Sequence, residues 1–335
     1  MAIKVAVVGA GSWGTTVASL AARNAPAILW ARRPDLADEI TSTHENTSYL
    51  KGFALNRSLT ATSSLEEAVS GADVLVMGVP SHGFRSVLEE LAPFVAPGAP
   101  IVSLSKGVEQ GTNKRMTEVV NDVLPSHPAG VLTGPNLAKE VLAGQPTASV
   151  IAMPADGQAE ELVGVFHSST FRVYINPDVI GCEVAGALKN VVAIAVGMAD
   201  GMGFGDNTKA ALITRGLMEL TRLGVALGGR PLTFAGLAGM GDLVATCASP
   251  QSRNRTVGFR LGQGQTLEEI VADLKMVAEG VKSSQACVEL GRLHGVEMPI
   301  VEQVAAVIHD GVSAAAALEN LLARATGFEL AGISY

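Results

Sequence analysis

The stretch Ile3-Lys-Val-Ala-Val-Val-Gly9-Ala-Gly11-Ser-Trp-Gly14 decides how this chain is read. Its short β-branched run predicts a buried strand, and glycines follow at once, before a helical stretch over Ser12–Arg23. In Gly9-x-Gly11-x-x-Gly14 the three glycines serve different ends. One allows a tight turn, one lets the backbone approach a pyrophosphate closely, and one lets the helix pack closely on the strand. The helix N-terminus would then offer unpaired N–H groups and the positive end of its dipole to the phosphates. The apolar run is short and runs directly into glycine, so it reads as a first strand rather than a signal peptide. Alone, such a glycine pattern is weak; at the head of an alternating strand–helix series it is strong.

That series is present. Strands are expected at Ile3–Val8, Ala27–Trp30, Val74–Gly78, Ile101–Leu104, Val131–Leu132, Ser149–Met153 and Phe171–Tyr174. Helices are expected between them, including Ser64–Ser70, which opens on the capping-box pattern Ser64-Leu-Glu-Glu67, then His82–Leu91 and Thr112–Val123. Such alternation implies βαβ units and a mainly parallel sheet covered on both faces. Past about residue 178 the texture changes to long Ala/Leu/Val/Gly segments of helical period, among them Asp178–Asp200, Asn207–Leu227, Val281–His294 and Pro299–Val307. The expected architecture is an α/β Rossmann-type dinucleotide-binding domain over residues 1–178, followed by an all-α C-terminal substrate domain over 179–335.

Composition narrows the function classes. The 335 residues carry 24 basic and 32 acidic side chains, a net charge of −8, which disfavours nonspecific nucleic-acid binding. Apolar residues at 48% and charged ones at 17% exclude a disordered chain. Cys182, Cys247 and Cys287 are odd in number and lack CxxC spacing, so neither a disulfide framework nor a zinc site is expected, and a cytoplasmic location is the simple reading. The six histidines show no metal-ligand spacing, and no metal is expected. The most hydrophobic later segment, Val184–Met198, is broken by Lys189 and Asn190 and is not expected to span a membrane.

Several residues carry chemistry. At the end of the second expected strand, where an NAD-only site usually places an acidic residue for the ribose 2′-OH, this chain has Arg32 and Arg33, whose forks suit a 2′-phosphate. NADP(H) is therefore the preferred cofactor, with NAD(H) as the alternative. The two arginines would otherwise be surface charges at the start of the next helix. Lys189 is the sharpest anomaly. It sits in a helix that is apolar almost all round, where lysine is rarely buried unless paired, and its i±3 and i±4 neighbours include no carboxylate. It either finds a distant partner, opens onto a site or snorkels to the surface. Asp242, after the run Gly236-Leu-Ala-Gly-Met-Gly241, is a candidate partner or a helix cap, and one carboxylate could be both. Ser252-Arg-Asn-Arg255 gathers anion-binding side chains suited to a phosphate monoester, and Lys106-Gly107 follows a strand's carboxyl end, where open α/β sheets bind ligands.

The glycine motif is joined along the chain by Ser105-Lys-Gly107, Gly134-Pro135 with Ala138-Lys-Glu-Val141, Glu183-Val-Ala-Gly-Ala-Leu-Lys-Asn190, Gly241-Asp-Leu-Val-Ala-Thr246 and Ser252-Arg-Asn-Arg255. The chain resembles bacterial NAD(P)-dependent glycerol-3-phosphate dehydrogenases. That resemblance implies reversible hydride transfer between NAD(P)H and dihydroxyacetone phosphate, giving sn-glycerol 3-phosphate for phospholipid synthesis. It implies Lys189 as the catalytic lysine with Asp242 beside it. It places the substrate against Lys106, Gly134, Asn136, Lys189, Asn190, Asp242, Thr246, Ser252, Arg253 and Asn254. Cofactor contacts are implied at Gly9, Gly11, Ser12, Trp13, Gly14, Arg32, Arg33, Lys106, Ala138, Arg253, Val277 and Glu279. At position 136 many relatives of this type carry Ser or Thr; Asn can still donate to a phosphate or hydroxyl.

The chemistry suits these residues. Ketone reduction needs a proton for the developing alkoxide, and a lysine desolvated in an apolar pocket gives up its proton more readily. A β-hydroxyacid or 6-phosphogluconate type of dehydrogenase is the neighbouring alternative, disfavoured by the Asp242 and Ser252–Arg255 segments. A nonenzymatic dinucleotide sensor would lack the Lys189, Asp242 and Arg253 set. For partners the chain implies a small phosphorylated substrate, no nucleic acid and no membrane span. The apolar terminal helices serve intradomain packing or a homodimer face equally well.

Overall fold

Strand β1 (Val5–Val8) is buried along its whole length, which happens only when both faces of a sheet are covered. Val5 and Val7 point into one core layer with Leu20, Leu29, Val76 and Phe166, while Ala6 and Val8 point into the opposite layer with Leu75, Phe84 and Leu88. The computed structural model describes residues 3–154, 158–274 and 278–325. The chain divides into two units, residues 1–105 with 115–179, and residues 106–114 with 180–335.

In the first unit β1 is followed by α1 (Ser12–Ala21), β2 (Ala27–Trp30), α2 (Pro34–Thr43), the single turn α3 (Thr47–Leu50), β3 (Thr60–Thr62), α4 (Leu65–Val69), β4 (Val74–Met77) and α5 (Ser81–Leu91). Then come β5 (Ile101–Ser103), α6 (Met116–Val123), β6 (Ala129–Thr133), α7 (Ala138–Leu142), β7 (Thr147–Ala152), α8 (Gln158–Phe166) and β8 (Phe171–Asn176). The strands form one sheet in the order β3-β2-β1-β4-β5-β6-β7-β8. Pairing is parallel except between β6 and β7, where Val131 faces Ala152 in an antiparallel ladder. Strand order reverses between β1 and β4, and ligands of open α/β sheets bind at that switch point, beyond the strands' carboxyl ends. The expected Rossmann-type domain is present. Strand β3 is not among the expected strands: its three residues, Thr-Ala-Thr, are too few to show a period. The helix expected over Thr112–Val123 starts only at Met116, because residues 106–114 leave the sheet unit and pack in the helical one, with Val108 in its core.

The second unit is helical, as expected: α9 (Val179–Gly201), α10 (Asp206–Ala226), α11 (Pro231–Ala235), α12 (Asp242–Ala248), α13 (Arg253–Gly262), α14 (Leu267–Leu274), α15 (Glu279–Leu293), α16 (Pro299–His309) and α17 (Ala314–Leu322). At 23 residues α9 matches the length of the segment expected over Asp178–Asp200, one residue further on, and by length and composition it could cross a membrane. Its most apolar window is 89% buried, however, so it is the unit's core helix. Small residues let α13 lie directly on it. A Cβ on Gly201 would stand 2.0 Å from the Phe259 carbonyl oxygen, and one on Gly258 would stand 2.0 Å from that of Ile194. Gly197 and Gly262 are as close, each 2.2 Å from a backbone oxygen of the facing helix. Gly258→Ala would gain about 1 kcal/mol of helix propensity. A methyl at 2.0 Å forces the helices apart, at a cost of roughly 1–3 kcal/mol or more, so the clash wins. The melting temperature is expected to fall by several degrees; a rise would show that α13 can retreat freely.

Candidate active site

The π-helical turn before α12 sets the chemistry of the second unit. The Gly241 N–H donates to the Gly236 carbonyl, an i→i+5 bond that bulges the chain immediately before Asp242. Asp242 is buried and is the first residue of α12, one past the N-cap position, which Gly241 occupies. The two roles open to it in sequence are thus separated by geometry. Oδ1 accepts from Lys189 Nζ at 2.6 Å, and Oδ2 accepts from Lys106 Nζ at 2.7 Å. Lys189 also donates to Thr246 Oγ1 at 2.7 Å, and that hydroxyl donates to the Asp242 carbonyl one helical turn back, at 2.6 Å. Two of the three Lys189 ammonium hydrogens are so placed, which leaves one for an incoming oxygen.

The cluster carries two cations and one anion in a site where the Lys189 side chain is 6% exposed and that of Lys106 is 14% exposed. Burial pulls Lys106 down to about 8, against the raising pull of Asp242 and with the help of the neighbouring Lys189 charge. Burial alone would raise the Asp242 carboxyl, but the two ammoniums together hold it below the usual carboxylate range. Beside it, the Asn190 amide donates to the Lys106 carbonyl at 2.9 Å, the Asn254 amide donates to Asn190 Oδ1 at 2.9 Å, and Asn254 Oδ1 accepts from the Gly280 N–H at 3.0 Å. Ser252 caps α13 by accepting from the Arg255 N–H at 3.2 Å, and Arg253, the first residue of α13, is exposed. Glu279, the first residue of α15, is half-buried. Cys247 lies near this cluster, but burial pushes its thiol up to about 12, outside the range of a useful nucleophile. Among the described residues no group of His, Cys, Asp and Glu could hold a metal ion.

The first unit holds the other set. Gly9 has φ +116°, and a Cβ there would stand 2.7 Å from the Gly78 carbonyl oxygen; a Cβ on Gly14 would stand 2.0 Å from the Gly9 oxygen. Around Gly11 nothing lies within 4 Å of such a position, so the turn is open where a pyrophosphate would come closest. The α1 N-terminus has no side-chain cap and no acidic residue in its first turn. Trp13 packs against Phe171, ring centroids 6.2 Å apart, and its indole N–H is buried without a hydrogen-bond partner. These residues fit a dinucleotide. Arg32 and Arg33 are both exposed, and Arg33 donates to Ser48 Oγ at 2.7 Å. Ser12 and Ala138 are the first residues of α1 and α7. Gly134, with φ +132°, and the buried Asn136, which donates to Ser149 Oγ at 3.3 Å, stand at the end of β6, in the sheet unit. Val277 lies outside the described residues. A residue missed in sequence is Asn46, fully buried against the glycine turn; only its place in a cap-like Asn-Thr-Ser pattern hints at it.

Comparison with known proteins points the same way. The N-terminal model of NAD-dependent glycerol-3-phosphate dehydrogenase matches residues 4–159, and the C-terminal model of the same family matches residues 178–328. The chain belongs to the NAD-dependent glycerol-3-phosphate dehydrogenase family. A glycerol-3-phosphate dehydrogenase (NAD(P)+) of Sphingopyxis alaskensis is 55% identical over 98% of this chain and 99% of its own length. One from Mycobacterium avium is 52% identical over 99% and 98% respectively. The crystal structure of the Coxiella burnetii glycerol-3-phosphate dehydrogenase superposes with a TM-score of 0.92 at 37% identity, covering 96% of this chain and 99% of that one. Membership of this dehydrogenase family makes the chain an oxidoreductase with a Rossmann-type domain and a helical C-terminal domain.

Proposed function

We propose that this protein interconverts dihydroxyacetone phosphate and sn-glycerol 3-phosphate with NADP(H) as preferred cofactor and NAD(H) as alternative, in the cytoplasm, supplying glycerophospholipid synthesis. The observation that carries this reading is the Lys189 ammonium fixed by Asp242 and Thr246 with one hydrogen left over. When bound, the nicotinamide cofactor supplies or takes up the hydride.

The chain's own residues handle the proton and the charge. Lys189 gives its remaining proton to the carbonyl oxygen as that oxygen gains charge, and takes one back from the alcohol in the reverse direction. Asp242 holds the amine in place through both states. Lys106, the second ammonium on the same carboxylate, adds positive charge where the alkoxide grows. The remote phosphate falls to Arg253, to the Ser252 hydroxyl, whose own hydrogen is not used in capping, and to the free N–H groups opening α13. Binding energy from that phosphate fixes the reacting carbon. Asn254 supports this end through its bonds to Asn190 and Gly280. Fold analogy is compatible with a homodimer, and light scattering would measure the assembly.

NADPH oxidation followed at the nicotinamide absorbance, with dihydroxyacetone phosphate and an NADH comparison, tests the reading. Turnover should be faster with NADPH. Turnover of a hydroxyacid in its place would select the hydroxyacid type of dehydrogenase, and cofactor binding without any turnover would select a sensor. The pH profile adds a second check. Lys106 is charged below about pH 8 and loses that charge above it, so KM for the phosphorylated substrate should climb as pH rises through 8. Lys106→Arg, which cannot deprotonate in this range, should flatten that climb. A climb unchanged in the variant would take Lys106 out of substrate binding.

A further inference from the structure

We infer that Asn46 is a positioning residue that ties the phosphate-binding turn to the segment bearing the ribose-reading arginine, so that cofactor affinity and the choice of cofactor rest on one buried amide. Asn46 is 0% exposed and every polar atom of its side chain is engaged. Its Nδ2 donates to the Ala10 carbonyl at 3.0 Å and to Thr15 Oγ1 at 2.9 Å, while Oδ1 accepts from the Tyr49 N–H at 3.2 Å. Ala10 lies between Gly9 and Gly11, and Thr15 lies in the first turns of α1. The Asn46 backbone carbonyl accepts from the Leu50 N–H at 2.7 Å, closing α3. Exposed Ser48 on α3 receives the Arg33 guanidinium at 2.7 Å. One polar chain thus runs from the glycine turn through Asn46 and α3 to Arg33.

Capping alone does not explain the residue. A cap needs only an acceptor, and Ser, Thr or Asp would serve as well as Asn. The two donated bonds to the turn go beyond that need, and an Asp carboxylate here would face the Ala10 oxygen with no hydrogen to give. A buried amide is costly unless satisfied, and this one is satisfied by the turn itself. With Ala10 and Thr15 held, the backbone around Gly11 is already arranged for a pyrophosphate, and less order has to be imposed on binding.

The effect on cofactor choice rests on reading Arg33 as the 2′-phosphate ligand, and the test separates the two. Binding of NADP+ and of NAD+ to the full chain is measured by calorimetry for wild type, Asn46→Ala, Asn46→Asp and Ser48→Ala, with melting temperatures alongside. Asn46→Ala should weaken both cofactors by about tenfold or more, the effect of losing two net hydrogen bonds. Its kcat at saturating cofactor should stay unchanged while KM for the cofactor rises. Ser48→Ala should weaken NADP+ by several-fold and leave NAD+ as it was. Should Asn46→Ala not fold, Asn46→Asp keeps the acceptor for Tyr49 and removes only the donors, and the same loss is expected. Unchanged cofactor binding in a folded Asn46 variant overturns the inference, as does an equal loss of both cofactors in Ser48→Ala. A wild type that binds NAD+ as tightly as NADP+ would instead overturn the Arg33 reading, and the NAD+ titrations would still decide the role of Asn46.

Discussion

Lys189→Met is expected to lower kcat by about a thousandfold or more while leaving NADP+ binding intact. General acid catalysis by one positioned group contributes roughly 10²–10⁴, and here the same group also holds charge against the growing alkoxide. The fold should survive. Asp242 keeps its Lys106 partner, the pair becomes neutral overall, and Thr246 still donates to the Asp242 carbonyl. Initial rates under saturating substrate and cofactor are the measurement. A variant that folds and retains most of its kcat would remove Lys189 from acid–base chemistry.

Asp242→Ala should be damaging for the opposite reason. It leaves two buried ammoniums without the carboxylate that both of them bond, and breaking a buried ion pair from one side typically costs about 3–5 kcal/mol. A clear fall in melting temperature and near-complete loss of activity are both expected. The pH dependence distinguishes lost charge compensation from lost packing. In the wild type the Asp242 carboxyl titrates lower in the folded chain than in the unfolded one, so its stabilisation is present above the unfolded value of 3.8 and is lost as pH falls through the lower folded value. In the variant the uncompensated charge is that of the lysines. Lys106 sheds its proton near pH 8 even with Asp242 beside it, so the deficit should shrink between about pH 6 and about pH 9. Thermal melts of wild type and variant at both pH values make the check. An equal deficit at each would mean that the carboxylate acts through its shape alone.

Glu219 shows that a buried carboxylate in this fold is not by itself a functional mark. It accepts from the Ile300 and Val301 N–H groups at 2.8 and 3.2 Å, so it caps α16 from a neighbouring helix, and burial pushes it up to about 7. Asp242 differs because two cations, not two amides, face it.

What the sequence determined by itself is local. Gly9, Gly11 and Gly14 specify turn, opening and close packing within one short stretch, because each effect depends on the steric size of one residue and the neighbours it meets. The wholly apolar β1 announces a sheet covered on both faces, and the apolar surround of Lys189 marks that lysine as the anomaly to be explained. Which partner it has was a matter of tertiary structure. Asp242 lies 53 residues from Lys189 and 136 from Lys106, and no periodicity reaches across such distances. The meeting depends on α12 bringing Asp242 against α9, directly after a π-helical turn, and on residues 106–114 leaving the sheet unit to join the helical one. Asn46 was hidden for the same reason: its amide is spent on a carbonyl 36 residues away. Sterics and periodicity act over a few residues and can be read along the chain. Pairing of buried polar groups is fixed only once packing has brought distant segments together and removed the water they would otherwise bind.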